Sequence, residues 1–255
     1  MLFFNININK YIIHMTTIVS AFMTNVNNRK DRSIETYLKL GSLLLEANIP
    51  KIIFVDKIMY DIIKEYNNEN TLILVYDMVS SYLYDYINDD CLSNFGVNSP
   101  TPEKDTKEYM FIMSNKTEWV KEAIKINKFH TNNFVWVDFG IRHMFQTDDN
   151  FIKSIENLNK QYDKIRIASI WNPDIPIHSD IYNTITWYFA GSIFGGDIES
   201  LILFSEKMKE LCLKIIIERK ALMWEVNIWY LIYKDNSELF DCYNSDHNES
   251  ILNHY

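Results

Sequence analysis

Glycine, proline and cysteine are scarce in this chain, which has 6, 5 and 3 of them among its 255 residues. So little glycine and proline argues against a collagen-like or low-complexity chain. The cysteines, Cys91, Cys212 and Cys242, are odd in number and far apart, which argues against a disulfide scaffold or a zinc site. They indicate reduced thiols, and hence a cytoplasmic protein.

Basic residues are also few: Lys and Arg total 25 against 34 Asp and Glu, so the net charge is −9. A nucleic-acid binder needs a basic surface to displace counterions, so no nucleic-acid partner is expected. No apolar run approaches the roughly 18–20 residues of a membrane span, and none is predicted. With 47% hydrophobic and 23% charged residues, the composition is that of an ordinary globular protein.

The first fifteen residues are expected to be an N-terminal extension. Asn5, Asn7 and Asn9 interrupt their apolar residues, and no small-residue cleavage site follows, so a signal peptide is not predicted. The first buried strand begins just after Met15. We therefore expect one domain over residues 16–255, long enough to bury about 70–75% of its unfolded surface.

Short apolar runs alternate with helical patterns through the first half. The runs typical of buried strands are 17–22, 51–56, 71–75, 134–138 and 164–169. Asp31 is the expected cap of the first helix, and Asn115-Lys-Thr-Glu118 has the pattern of a capping box. This βαβα order predicts an α/β fold with a mostly parallel central sheet flanked by helices.

The second half contains two helical patterns and a polar tail. Apolar residues recur at helical spacing over 198–215, an aromatic helix is predicted over 223–233, and residues 239–255 are polar. Before the helical pattern over 198–215, Gly191, Gly195 and Gly196 indicate either a plain tight turn or a close backbone approach to a ligand. Neither a dinucleotide fingerprint nor a phosphate-binding P-loop is present.

Two buried strands end in an acid, Asp56 and Asp138. Ligands of open parallel sheets bind at the carboxyl ends of the strands, where such an acid can hold a divalent cation. The alternative for Asp138 is a loop cap, and for Asp56 the N-cap of the next helix. Glu225 stands on a strongly apolar helix near Asn227, and it is costly to bury without a partner.

These segments, in this order, resemble the HtrL/YibB (WlaTC-like) family. The match runs from about Thr16 to the C-terminus. The matching stretches are Thr17-Ile-Val-Ser-Ala-Phe22, Arg32-Ser33 with Tyr37-Leu38, Pro50-Lys-Ile-Ile-Phe-Val-Asp56, Ser114-Asn-Lys116, Phe134-Val-Trp-Val-Asp-Phe-Gly-Ile141 with His143, Ala190-Gly191 with Phe194-Gly-Gly196, Trp224-Glu-Val-Asn-Ile-Trp229, and Asp246-His-Asn248.

The resemblance implies a GT-A-like glycosyltransferase fold, in which a nucleotide-sugar, expected to be a UDP-sugar, sits at the carboxyl edge of the sheet. It implies Mn²⁺ or Mg²⁺ on the donor diphosphate. Asp138 matches the last acid of the metal motif, and His247 looks like the C-terminal histidine that completes such sites. The chain departs from that motif at Gly140, where a second acid is often found.

The resemblance also implies the contacts to donor and acceptor. Arg32 and Lys116 would reach the phosphates, and Gly191, Gly195 and Gly196 would form the acceptor-side turn. Glu225, with Asn227 beside it, resembles the acid that faces sugar and acceptor, a candidate general base. The remaining residues expected around the nucleotide are Ser20, Ala21, Phe22, Asp56 and Trp136.

Three functions stay open at this point. The first is a glycosyltransferase that moves a sugar from a nucleotide-sugar to a glycan or glycoconjugate, which Glu225 and His247 favour. The second is a noncatalytic binding protein on the same fold, which the single acid at Asp138 favours. The third is a metal-dependent hydrolase of nucleotide-sugars, although such enzymes more often show clustered carboxylates for two metals.

Overall fold

The structure is a computed structural model, and it describes residues 15–24, 26, 29–31, 33–87, 101–176 and 180–255. The expected N-terminal extension before Met15 lies outside the described residues, as do Arg32 and Cys91. None of the helices within the described ranges is both long and apolar enough to cross a membrane.

Seven strands in the described part of the chain form one sheet, in the order β3-β2-β1-β4-β6-β5-β7. β1 pairs in parallel with β2 and β4, β2 with β3, and β5 with β7, whereas β6 runs antiparallel to β4 and β5. The predicted α/β fold with a mostly parallel sheet is therefore confirmed. The strands are β1 (Thr16–Phe22), β2 (Lys51–Val55), β3 (Thr71–Val75), β4 (Asn133–Val137), β5 (Ile165–Ser169), β6 (Phe189–Asp197) and β7 (Phe240–Asn244).

Helices cover both faces of the sheet. Successive strand residues point to opposite faces, so in β4 Trp136 belongs to one hydrophobic core and Val137 to the other. The core around Trp136 includes residues of α4, α5, α7 and α8, and the other includes residues of α1, α2, α6 and α9. The helices are α1 (Ile34–Glu46), α2 (Lys57–Ile63), α3 (Tyr84–Ile87), α4 (Lys107–Ser114), α5 (Lys116–Ile126), α6 (Asp148–Glu156), α7 (Ile198–Arg219), α8 (Glu225–Asp235) and α9 (Ser250–Asn253).

The expected glycine turn before α7 is wrong. Gly191, Gly195 and Gly196 all lie inside strand β6. A Cβ on Gly195 would stand 2.7 Å from the carbonyl oxygen of Phe134, and one on Gly196 would stand 2.6 Å from that of Lys164. These two glycines therefore let β6 pack closely against its neighbours in the sheet.

Two predicted helix caps are also wrong. Ser33, and not Asp31, caps α1, since its Oγ accepts from the backbone N–H of Thr36 at 3.3 Å. The side chain of Asn115 makes no capping bond to α5. It accepts from Ser81 Oγ at 2.9 Å and donates to Tyr76 Oη at 3.3 Å, because the chain enters α5 directly from α4 in helical conformation.

The C-terminal residues form part of the fold, although they were expected to be a polar tail. Phe240–Asn244 is strand β7, and it pairs in parallel with β5 at the edge of the sheet. Further on, Ile251, Leu252 and Tyr255 are buried. An edge strand has a neighbouring strand on one side only, so its sequence keeps polar residues and gives a weak hydrophobic pattern.

A buried lysine lies at the amino end of strand β2. Lys51, the first residue of β2, is 1% exposed, and its Nζ donates to the carbonyl oxygen of Ala47 at 2.5 Å and to Thr71 Oγ1 at 3.3 Å. No carboxylate among the described residues forms an ion pair with it. Burial lowers the pKa of Lys51 to about 8.

This pKa makes stability depend on pH. Between about pH 8 and the ordinary lysine value the unfolded chain binds more protons, so the free energy of unfolding rises with pH. Across this whole pH range, Lys51 accounts for a rise of up to about 3 kcal/mol in the free energy of unfolding.

We expect Lys51→Met to flatten this rise in urea unfolding measured from about pH 7 to about pH 9.5. The exposed Lys57→Met should leave the profile unchanged, and parallel profiles for Lys51→Met and the parent would contradict the prediction.

Candidate active site

A cavity of about 310 Å³ opens where β1 and β4 end. Ala21 and Phe22 at the end of β1, Asp138 just after β4, and Gly191 in β6 all line it. This is the carboxyl edge at which open parallel sheets bind ligands, and the volume is within the range of about 300–1,000 Å³ for ligand pockets. Much of the wall is aromatic, formed by Tyr37, Tyr109, Trp119, Trp136, Phe139, Trp187 and Trp224.

Lys116 joins the two acids of this cavity. Its Nζ donates to Glu225 Oε1 at 3.0 Å and to the carbonyl oxygen of Gly191 at 2.7 Å, and it lies 3.1 Å from Asp138 Oδ1. The side chains of Lys116 and Glu225 are 2% and 6% exposed, while that of Asp138 is 36% exposed. The two buried charges therefore lie in the floor, and Asp138 lies nearer to solvent.

Lys116 keeps its positive charge in this position. Burial alone would lower the pKa of its ammonium, but Asp138 and Glu225 together outweigh burial and raise the pKa above its ordinary value. An ammonium has three N–H donors, and three oxygens contact this one. Lys116 therefore lines the cavity as expected, but its donors point to protein oxygens and not to a phosphate.

The local sequence explains how each group reaches the site. Asn115 ends α4 and Lys116 begins α5, so the lysine stands where two helices meet. Trp136 Nε1 donates to Asp138 Oδ1 at 2.8 Å, which orients the acid two residues later. The indole of Trp136 is itself held, since its ring stacks between those of Trp119 and Phe194, with centroids 5.8 Å and 6.4 Å away.

The glycine at position 191 makes room for the side chain of Glu225, whereas those at 195 and 196 make room for the backbone of neighbouring residues in the sheet. A Cβ on Gly191 would stand 2.5 Å from Glu225 Oε1 and 3.2 Å from Val226 Cγ1. Because Gly191 has no side chain, Glu225, the first residue of α8, can lie against β6 and reach Lys116. Gly191 is thus part of the site, although in a strand and not in the expected turn.

The predicted nucleoside residues divide between the cavity and the core. Ala21 and Phe22 line the cavity, and the ring of Phe22 packs against Tyr37 and Phe139 with centroids 4.7 Å and 5.5 Å away. Ser20 is fully buried in β1 and does not line the cavity.

Asp56 and Asn227 have structural positions outside the cavity wall. Asp56 caps α2 through Met59 N–H at 2.9 Å, and its Oδ2 accepts from the N–H and Oγ1 of Thr24 at 2.6 Å and 2.5 Å. Asn227 accepts twice from Thr186 and donates to the carbonyl oxygens of Ile181 and Thr184. All four hydrogen-bonding positions of its amide are used, so it holds the 181–186 loop in place.

The expected metal ligands do not fit a resident divalent cation. Asp138 and His247 line the same cavity, but no three His, Cys, Asp or Glu side chains among the described residues gather as a metal site. Asp138 Oδ1 already accepts from Trp136, and the ammonium of Lys116 lies 3.1 Å from it. His247 is exposed, with its ring edge-on against Trp187 at a centroid distance of 4.6 Å.

Sequence reasoning missed further residues of the cavity, among them Arg29, Lys104, Tyr109 and Trp187. Arg29 follows β1, and the loop after the first strand of a parallel sheet is a signal that could have found it. Lys104, Tyr109 and Trp187 also line the cavity, and Lys104 Nζ lies 5.4 Å from the ring centroid of Tyr109. No spacing in the sequence marks these three, because they reach the site only through folding.

The family comparison agrees with the sequence resemblance. A family model described as "Bacterial protein of unknown function (HtrL_YibB)" matches residues 14–248. The chain belongs to the HtrL/YibB family. Among curated proteins no relative matches it.

Several solved structures resemble this HtrL/YibB chain at low identity. Mouse xyloside xylosyltransferase 1, in its apo form, is 12% identical, with 89% of this chain and 84% of that one covered and a TM-score of 0.47. The 4-diphosphocytidyl-2C-methyl-D-erythritol synthase of Anaerococcus prevotii is 12% identical, with coverage of 91% and 88% and a TM-score of 0.44. A glycosyltransferase involved in glycosylation of the major capsid of PBCV-1 is 10% identical, with coverage of 90% and 81% and a TM-score of 0.43.

The contact between β6 and Glu225 yields a testable prediction. Gly191→Ala should displace the carboxylate of Glu225 from Lys116 and lower the free energy of unfolding by roughly 1–3 kcal/mol, as overpacking does. In a Glu225→Ala background the same change should cost less, because the obstructing oxygen is gone. Urea unfolding of the four proteins of this cycle measures the difference. An equal cost in both backgrounds would show that Glu225 does not set the requirement for glycine.

Proposed function

We propose that this HtrL/YibB member is a glycosyltransferase that moves a sugar from a nucleotide-sugar to a hydroxyl of a glycan or glycoconjugate. Residues 16–255 form its transferase domain, with the GT-A-like arrangement that the sequence resemblance implies. The observation that carries the proposal is the buried acid Glu225, held by Lys116 in the wall of a cavity at the carboxyl edge of the parallel strands.

The cavity offers separate surfaces for the parts of such a donor. Phe22 and Tyr37 give an aromatic wall for the base, a UDP-sugar being the expected donor. Arg29 and Lys104 line the cavity as cations, paired at present with Asp31 and Asp105. Guanidinium and ammonium groups bind phosphate oxygens, so a donor diphosphate would compete with these two acids for them. For the Mn²⁺ or Mg²⁺ that the resemblance implies, the expected ligands are Asp138 and His247 alone, and among the described residues they do not form a metal site, so no step is assigned to a metal.

Glu225 is the proposed general base. A carboxylate within hydrogen-bond reach of an acceptor hydroxyl can take its proton while the sugar bond to the diphosphate breaks. The contact with Lys116 Nζ at 3.0 Å holds Oε1 of this carboxylate in place. Asn227, earlier expected beside it, positions the 181–186 loop and takes no part in proton transfer.

The proposal is tested by thermal-shift and turnover measurements with UDP-, GDP-, CMP- and dTDP-sugars, with and without Mn²⁺. A donor that binds the folded state stabilises it by mass action, so the correct nucleotide should raise the melting temperature. Transfer to added glycan acceptors then supports the proposal. Binding without turnover would favour a noncatalytic binding protein, and release of sugar to water without an acceptor would favour a hydrolase.

The role of Glu225 gives a second prediction. Glu225→Gln keeps the size of the side chain but removes the base, so turnover should fall by roughly 10²–10⁴-fold. Donor affinity by calorimetry should change little, because the proposed nucleotide contacts lie elsewhere in the cavity. Glu206→Gln, on the exposed face of α7, is the matched control and should keep full turnover. Unchanged turnover in Glu225→Gln would remove Glu225 as the base.

A further inference from the structure

Three oxygens from different parts of the fold surround the Nζ of Lys116, which lines the cavity. The carbonyl oxygen of Gly191 in β6, Oε1 of Glu225 in α8 and Oδ1 of Asp138 after β4 lie 2.7, 3.0 and 3.1 Å from the Nζ of Lys116. Carboxylate and carbonyl oxygens are the ligands that hard divalent cations prefer. The ammonium therefore lies within an oxygen set of the kind that binds Mg²⁺ or Mn²⁺.

The ammonium matches this set in the number of its contacts. Its three N–H donors equal the three oxygens, and its single positive charge lies between two carboxylates. The side chain is 2% exposed, so water does not compete for the contacts. A divalent cation on either carboxylate would have to bind close to a fixed positive charge, which opposes its binding.

We propose that Lys116 is a built-in cation of this site: its ammonium occupies the position between Asp138 and Glu225, so the protein takes up no Mn²⁺ or Mg²⁺ there. The inference concerns the cation alone and holds for any ligand of the cavity. If the proposed transferase function is also correct, donor binding should be unaffected by removal of divalent ions with a chelator.

The test measures Mn²⁺ binding without any nucleotide, so it is independent of the proposed function. Lys116→Ala removes the ammonium and leaves the three oxygens with space between them. Its matched control is Lys51→Ala, which removes the other fully buried lysine of the described residues, whose hydrogen bonds go to neutral oxygens. Binding is followed by the electron paramagnetic resonance of free Mn²⁺, and folding by thermal unfolding with and without Mn²⁺.

The parent and Lys51→Ala should show no single-site Mn²⁺ binding. Lys116→Ala should bind one ion per chain, at least about tenfold more tightly than any weak binding by the parent, and should melt at a higher temperature in the presence of Mn²⁺. Recovery of a poorly folded Lys116→Ala by Mn²⁺ also supports the proposal. A folded Lys116→Ala that binds no Mn²⁺ overturns it.

If Lys116→Ala fails to fold with and without Mn²⁺, the parent protein decides the question. Single-site Mn²⁺ binding by the parent that is lost in Asp138→Asn would show that a divalent ion, and not Lys116, serves this acid. Absence of such binding in the parent agrees with the built-in cation. Failure of the transferase proposal would appear in the donor and turnover measurements instead, with the Mn²⁺ result unchanged.

Discussion

The ion pair of Lys116 with Asp138 and Glu225 is the interaction on which the candidate site depends. Two carboxylates at one edge of a sheet repel each other and lose hydration when buried, so they need a positive charge between them. Lys116 supplies that charge from the first turn of α5 and joins helix α8, strand β6 and the end of β4 at one point. Removing Lys116 or Glu225, the two members whose side chains are buried, typically lowers the free energy of unfolding by about 3–5 kcal/mol.

The surrounding packing serves to hold this group in place. Trp136 lies between Trp119 of α5 and Phe194 of β6, and its indole N–H orients Asp138. The absence of a side chain at Gly191 lets Glu225 approach the strand. Helix α5, and strand β4 with the residue that follows it, carry both charged residues and rings of the aromatic stack, so the geometry of the charges and the packing of the core are coupled.

The position of the cavity follows from the topology of the sheet. β1 and β4 are neighbours and parallel, so the residues that follow them open toward the same edge. Asp56, at the end of β2, is used there to cap α2 and to hold Thr24 after β1. Asp56 thus supports the loop beside the cavity. Its contacts favour the alternative that it is the N-cap of the next helix.

The sequence by itself determined the fold class, the family and the strand-end location of the site. Continuous apolar runs such as 51–56 and 134–138 mark buried parallel strands, and this local signal needs no knowledge of contacts. Only the tertiary structure decided which groups the charged residues contact. Lys116 and Glu225 are 109 residues apart, and their contact depends on where the two helices α5 and α8 begin. The glycines of β6 and the cap at Asn115 were mistaken for the same reason: a local pattern fits a turn or a cap, but strand pairing and helix continuity determined the outcome.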